Sequence, residues 1–229
     1  MGLRELALFA GAGGGILGGK LLGWRTVCAV ELDAYARSVL LARQRDGVFD
    51  RFPIWDDIKT FDGRPWRGSV DVISGGWPCT PHSTASRGRA NARDCWPDML
   101  RIVEAVRPRF VFGENVKRAP VEKAARDLLA AGYSCARIAQ AGASAVGAPH
   151  DRQRWWLFAD ADRKGERLRA INGEVAGLSC AAEELWPERD RQSFRVPDGV
   201  ASRVERCRAI GNGQVPAVAA LAWRVLGGP

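Results

Sequence analysis

Two hydrophobic periods alternate along the chain. Short apolar runs, several of them β-branched, stand at residues 6–9, 25–30, 70–73 and 109–112, and each predicts a buried strand. Gly75-Gly76 reads as the abrupt end of the third run. Segments with helical spacing lie between them, at residues 14–22, 33–45, 97–106 and 121–131. Asp33 is a natural N-cap for the second helix, and Gly132 a natural stop for the fourth. Residues 134–140 and 155–159 predict two further strands. This alternation predicts an α/β fold: a mostly parallel sheet with helices on both faces.

The rhythm breaks after Ala159. Residues 160–197 are charged and mixed, and they read as a small insertion that does not extend the sheet. A helical pattern returns from Gly199, and Gly211-Asn212-Gly213 interrupts it. A last apolar helix follows over residues 215–226, with Pro216 in its first turn. The expected organisation is a main unit over residues 1–159, the insertion over 160–197, and C-terminal helices over 198–229 that return to the main unit.

Composition changes this picture only in part. The chain has 229 residues, 46% of them hydrophobic, which suffices for one sizeable core. A strand-like run begins almost at once and no apolar stretch has transmembrane length, so no targeting peptide, no membrane association and a cytoplasmic location are expected. Six cysteines lack the spacing of a metal knuckle, so free thiols and no metal are expected. The net charge of +8 suits a polyanionic partner. Only five of the basic residues are lysines, and genomic bias explains arginine excess equally well. Position says more. Residues 83–93, with Ser83, Arg87, Arg89 and Arg93, are small, polar and basic, and they suit a loop lying along a phosphate backbone or, equally, a solvated surface loop.

Candidate chemistry gathers at the predicted strand ends. Trp77-Pro78-Cys79 follows the third strand, where a held thiol is a candidate nucleophile, although a lone cysteine reads more simply as a small apolar residue in a turn. Phe9-Ala10-Gly11 leads into Gly13-x-Gly15-x-x-Gly18, and Glu31 ends the next strand. Glycines admit a close backbone approach, a helix N-terminus favours an anion, and a carboxylate accepts from ribose hydroxyls. That combination points to a ribose-bearing cofactor and leaves nicotinamide and S-adenosylmethionine both open. Glu114 closes another strand as a candidate acid, and Arg152 and Arg154 stand at alternate positions before the last one, sharing a face.

In order, the chain shows Phe9-Ala10-Gly11-x-Gly13-Gly14, Glu31, Asp57-Ile58, Gly75-Gly76-x-Pro78-Cys79, Glu114-Asn115-Val116, Arg152-x-Arg154 and Gly211-Asn212. This series resembles the cytosine carbon-5 DNA methyltransferases over residues 5–159 and 199–226. The resemblance implies a Rossmann-like, S-adenosylmethionine-dependent sheet with a very small target-recognition insertion. It implies methyl transfer to carbon 5 of a flipped cytosine in duplex DNA.

The resemblance also implies residue roles. Cys79 is the thiolate that adds to cytosine carbon 6, oriented by Pro78. Glu114, with Asn115 beside it, holds N3 and the exocyclic amine. Arg154 steers the base oxygen, supported by Arg152. Phe9, Ala10, Gly11, Gly13 and Gly14 line the methionine part of the cofactor. Glu31 takes the ribose, Leu32, Asp57 and Ile58 the adenine, and Asn212 returns the chain to the cofactor side. Cys95 and Trp96 correspond loosely to the pocket stretch. Ser83, Arg87, Arg89 and Arg93 belong to the loop that closes over DNA.

Several positions depart from the family pattern. Thr80-Pro81-His82 follows the nucleophile where Gln and an aromatic are common. His150 stands where Gln is usual, and Leu32 where an aromatic can stack on adenine. The recognition segment is short. The implied setting is a monomer in a bacterial or phage-encoded, nucleoid-associated context, with a cognate restriction endonuclease as a candidate partner. A tRNA cytosine methyltransferase of the same family, a nicotinamide-dependent oxidoreductase and a non-catalytic DNA-binding module are the alternatives. The oxidoreductase leaves Cys79, Glu114 and Arg154 unexplained.

Overall fold

The computed structural model describes residues 2–78, 94–162, 168–174 and 203–229. Eight strands form one sheet: β1 (Arg4–Leu8), β2 (Arg25–Val30), β3 (Ile54–Trp55), β4 (Val72–Gly76), β5 (Phe110–Asn115), β6 (Cys135–Ala141), β7 (Arg154–Asp160) and β8 (Leu168–Glu174). Their spatial order is β3-β2-β1-β4-β5-β7-β6-β8. The helices are α1 (Gly14–Leu21), α2 (Ala34–Arg45), α3 (Trp96–Val106), α4 (Arg118–Ala130), α5 (Arg203–Asn212) and α6 (Pro216–Val225).

Strands β1 to β5 run parallel, whereas β7 is antiparallel to both β5 and β6. The reversal fixes the position of the site. It brings the start of β7 to the same sheet edge as the end of β5, with Asn115 opposite Trp155 and Glu114 opposite Trp156. Glu31, Glu114 and Arg154 are thereby collected on one edge.

Alternate residues of each strand feed opposite cores. Leu6, Leu8, Ile73, Val111 and Leu157 join α3 and α4 through Met99, Ile102, Val103 and Leu128. Val72, Phe110, Phe112, Trp156 and Phe158 pack instead on α6 through Val218, Ala222 and Trp223. Ala7 and Ala29 meet Ile16 of α1, Leu40 of α2, Phe49 and Phe52 on that second face. The expected two-sided cover is present. Asp33 caps α2, its carboxylate accepting from the Ala36 N–H at 3.0 Å.

One expectation is corrected, one is borne out and one strand is added. Gly75-Gly76 does end β4, as its last two residues, and both still pair, with Gly113 and Glu114 of β5. A side chain is excluded there because a Cβ at Gly75 would sit 2.6 Å from the Leu8 carbonyl oxygen. The segment after Ala159 does extend the sheet, since β8 pairs parallel with β6. The short strand β3 adds an edge beside β2 that the hydrophobic pattern does not show. Cys79, Ser83, Arg87, Arg89, Arg93 and most of the recognition segment lie outside the described residues.

Candidate active site

The site begins at the end of β1. Phe9 takes a positive φ of 53°, a region a bulky side chain rarely enters. Backbone strain of this kind concentrates at functional sites. Gly11 follows at φ 54°, and Gly13 caps α1 at φ 92°. The turn is closed by Gly13 N–H donating to the Ala10 carbonyl at 3.0 Å.

Glu31 holds this turn from the end of β2. Its Oε2 accepts from the Gly11 N–H at 2.7 Å and its Oε1 from the Asp33 N–H at 2.7 Å. Burial raises the Glu31 pKa, and the two backbone donors oppose that rise. A Cβ at Gly11 would meet nothing within 4 Å, so open space fronts the turn. The other glycines are spoken for. Gly13 is backed by Phe49 and Leu40, Gly14 and Gly15 by Gln214, and Gly18 by Ala219 and Pro216. Much of the glycine series therefore serves close packing of α1 on the C-terminal segment rather than an approach to a ligand.

Trp55 joins from β3, its carbonyl accepting from Glu31 N–H at 2.9 Å. Beyond it the Asp57 carboxylate accepts from Lys59 N–H at 2.9 Å. Ile58 turns its side chain into the core. Leu32 is 71% exposed, and Asn212 stands exposed at the end of α5.

The second half of the site lies across β4, β5 and β7. Glu114 is buried, and its Oε1 pairs with Arg154 Nε at 2.9 Å. Burial pushes the Glu114 carboxyl pKa up, while Arg154, Arg152 and a hydrogen bond from Gln214 pull it back. Arg152 does not share the Glu114 contact. Its Nη2 donates to the carbonyls of Gly211 at 2.6 Å and Gly213 at 2.7 Å, which clamps the link between α5 and α6. Burial and the like charge of Arg154 lower the Arg152 pKa, against the pull of Glu114. A small cleft is lined by Glu114, Arg152, Arg154, Trp156 and Gln214.

Asn115 ties this half to the Pro78-Cys79 segment. Its Nδ2 donates to the Trp77 carbonyl at 3.0 Å. The Trp77 ring is buried, packs on Trp96 with centroids 5.0 Å apart, and fills the space left by Gly113. Cys95 N–H donates to the Pro78 carbonyl at 3.2 Å, so the chain on either side of residues 79–93 is pinned together. Trp96 thus backs the Trp77 ring, one residue before Pro78. By contrast, Cys28 is buried in the sheet and its thiol is pushed up to about 12, which makes it inert as a nucleophile at neutral pH.

Phe9, Gly11, Glu31, Asn115, Arg152, Arg154 and Glu114 meet at one edge as expected. Gln214 was not among the expected residues. Its one sequence signal is a polar residue lodged between the glycine break and Pro216. Among the described residues, no group of three or more His, Cys, Asp or Glu side chains is placed to hold a metal, and no helix is long and apolar enough to cross a membrane.

The chain is 36% identical over 117 residues to the Type II methyltransferase M.PspPI of Psychrobacter sp., a match covering 48% of this chain and 26% of that relative. It is 31% identical over 210 residues to the Type II methyltransferase M.HgiDI of Herpetosiphon aurantiacus, covering 86% of this chain and 60% of the relative. The chain thus spans less than two thirds of the length of these curated relatives. The fold is shared with solved DNMT2 of Spodoptera frugiperda, at a TM-score of 0.58 and 18% identity over 75% of this chain and 56% of that one. The family model for C-5 cytosine-specific DNA methylases matches residues 3–193, and the chain belongs to that family.

Proposed function

We propose that the chain transfers a methyl group from S-adenosylmethionine to carbon 5 of a flipped cytosine in duplex DNA. The observation that carries this reading is the buried Glu114–Arg154 pair, 2.9 Å apart, on the same sheet edge as Trp77-Pro78 and the Glu31-braced glycine turn. A nicotinamide-dependent reading leaves that pair unexplained.

The residues present fit the cofactor. Glu31 keeps a carboxylate at the end of β2, the space before Gly11 is open, and the N-terminus of α1 faces the same edge. When bound, S-adenosylmethionine supplies an electrophilic methyl group on a sulfonium. Glu31 takes the ribose, with Asp57 on the adenine side.

Cytosine carbon 5 is a weak nucleophile, so the chain must activate it. The Cys79 thiolate adds to carbon 6, forming an S–C6 bond and moving the C5=C6 electron pair toward carbon 5. Glu114 accepts from the exocyclic amine and protonates or holds N3, which stabilises the charge that the addition develops. Arg154 fixes the Glu114 carboxylate and faces the base oxygen. After transfer, the carbon-5 proton leaves to water, the C5=C6 bond re-forms and the thiolate departs.

The base reaches this pocket only by leaving the duplex stack. Ser83, Arg87, Arg89 and Arg93 hold the backbone phosphates, and the short segment after Ala159 reads the target. The names of the Type II relatives favour a cognate nuclease as a functional partner.

The test is methyl transfer from labelled S-adenosylmethionine to duplexes, with Cys79→Ser alongside. Loss of turnover in the variant is expected, and a wild-type rate in it would overturn the mechanism. A duplex with 5-fluorocytosine at the target should accumulate a covalent adduct only when cofactor is present.

A further inference from the structure

Gln214 lies in the turn between α5 and α6, and three glycines make room for it. A Cβ at Gly15 would sit 2.5 Å from Gln214 Oε1, and one at Gly14 would sit 2.2 Å from the Gln214 carbonyl oxygen. On the opposite side a Cβ at Gly76 would sit 3.0 Å from Gln214 Nε2 and 2.6 Å from Glu114 Oε2. The amide therefore spans the interval between the start of α1 and the base-side carboxylate. Its oxygen faces α1, and its Nε2 borders Gly76 on the same side as Glu114 Oε2, where it favours the ionised carboxylate.

The backbone around Gln214 is itself held. Arg152 bridges the carbonyls of Gly211 and Gly213, and Pro216 opens α6 two residues later. Val215 and Val218 pack beside Gln214 along the same cleft. A flexible, polar side chain thus occupies a space that exists only because residues 14, 15 and 76 are glycine.

Glu114 has two oxygens to be oriented. Arg154 takes Oε1, while Oε2 faces Gly76, which has no side chain. The charged groups facing Glu114 are Arg154 on β7 and Arg152 just before it, and β4 contributes none at Gly76. Among the described residues, the Gln214 amide is the polar group that the C-terminal segment brings beside Gly76 and Glu114 Oε2.

We propose that Gln214 is the positioning residue of Glu114, its amide linking the cofactor-side glycine helix to the base-holding carboxylate. The inference rests on the cytosine reading of the site. The link makes the C-terminal segment part of the catalytic edge rather than a mere cover for the sheet. It also explains why Gly14, Gly15 and Gly76, which come from two distant stretches of sequence, are all glycine.

The decisive variant is Gln214→Met, which keeps the length of the side chain and removes its hydrogen-bonding amide. Gln214→Ala and Gln214→Glu accompany it. Three quantities are read in the full chain: kcat on cytosine duplex, calorimetric affinity for S-adenosylhomocysteine, and the carbon-13 titration of the Glu114 carboxyl, assigned by its disappearance in Glu114→Gln. In Gln214→Met, kcat should fall roughly tenfold, as expected for losing a hydrogen bond to a charged group. Cofactor affinity should stay within about threefold, a change of well under 1 kcal/mol. The Glu114 titration midpoint should rise, because a donor to the ionised form is gone.

A wild-type midpoint and kcat in Gln214→Met would overturn the proposal, as would a loss confined to cofactor affinity. If the wild-type chain methylates no cytosine duplex yet the midpoint still rises, the functional reading fails while the hold of Gln214 on Glu114 stands.

Discussion

Gly76 and Glu114 face each other across β4 and β5, and the absence of a side chain at Gly76 is what lets the Glu114 carboxylate lie over the strand. A Cβ there would be 2.6 Å from Glu114 Oε2. Gly76→Ala should therefore displace the carboxylate while leaving the sheet intact, since the colliding atom is the end of a side chain. A displacement near 1 Å at reacting groups costs on the order of a hundredfold in rate. The expected outcome is that kcat falls by about that factor with the melting temperature within a few degrees of wild type. A fully active Gly76→Ala would show that the observed carboxylate position is not the working one.

Asn115 should behave as a brace for the nucleophile segment. Its Nδ2 meets the Trp77 carbonyl at 3.0 Å, two residues before Cys79, and the group is almost wholly buried. Asn115→Ala leaves that carbonyl without its partner, at a cost of about 1–3 kcal/mol. Asn115→Asp should be no better, because a carboxylate cannot donate to a carbonyl. The measurable consequence is slower covalent adduct formation on 5-fluorocytosine duplex, with S-adenosylhomocysteine affinity unchanged. Equal slowing of adduct formation and cofactor binding would mean that the whole edge has collapsed rather than the Pro78-Cys79 segment alone.

Arg152 makes a different prediction from Arg154 although the two stand at alternate positions. Arg154 pairs with Glu114, whereas Arg152 holds the carbonyls of Gly211 and Gly213. Arg152→Ala should speed amide hydrogen exchange in the stretch 211–216 and lower kcat by roughly tenfold through that loosening. Arg152→Lys should recover only part of the effect, because the compact ammonium lacks the planar reach of guanidinium. Unaltered exchange in the 211–216 stretch would place the role of Arg152 elsewhere.

The site was legible in the sequence where chemistry is tied to strand ends, and illegible where it depends on long-range fit. Glu31 and Glu114 close strands, so pattern alone places them at one edge, whereas Arg154 opens its strand and reaches that edge only because β7 runs antiparallel. Gly75-Gly76 marks the end of β4 in the sequence, but the crowding by Leu8 and Glu114 that it answers is brought near only by the folded sheet. Ile54-Trp55 is too short to show any period, and β8 is interrupted by charge at Arg169 and Glu174. Gln214 has no local reason to matter. Its partners Gly15 and Glu114 are remote in sequence, and no short-range rule connects them.

Glu5 carries the last prediction, and it concerns stability rather than turnover. It sits within β1 with no exposure, between Thr26, whose hydroxyl donates to Oε2 at 2.6 Å, and Ser74, whose hydroxyl donates to Oε1 at 2.5 Å. Burial raises its pKa, and the two hydroxyls only partly oppose the rise. A carboxyl whose folded pKa lies above its unfolded value binds its proton more tightly in the native state. Its full contribution to stability is present below the unfolded pKa, about 4.3, and is lost as pH rises through the folded value. Glu5→Gln keeps the shape and hydrogen-bonding capacity and cannot ionise. The difference in melting temperature, variant minus wild type, should therefore be near zero around pH 4 and grow positive toward pH 8. Taking the difference removes the pH response of Glu31 and Glu114, whose pKa values are also raised by burial. Thermal unfolding of both proteins across that range checks it. A difference that stays flat, or turns negative as pH rises, would mean that the native state holds Glu5 ionised without penalty.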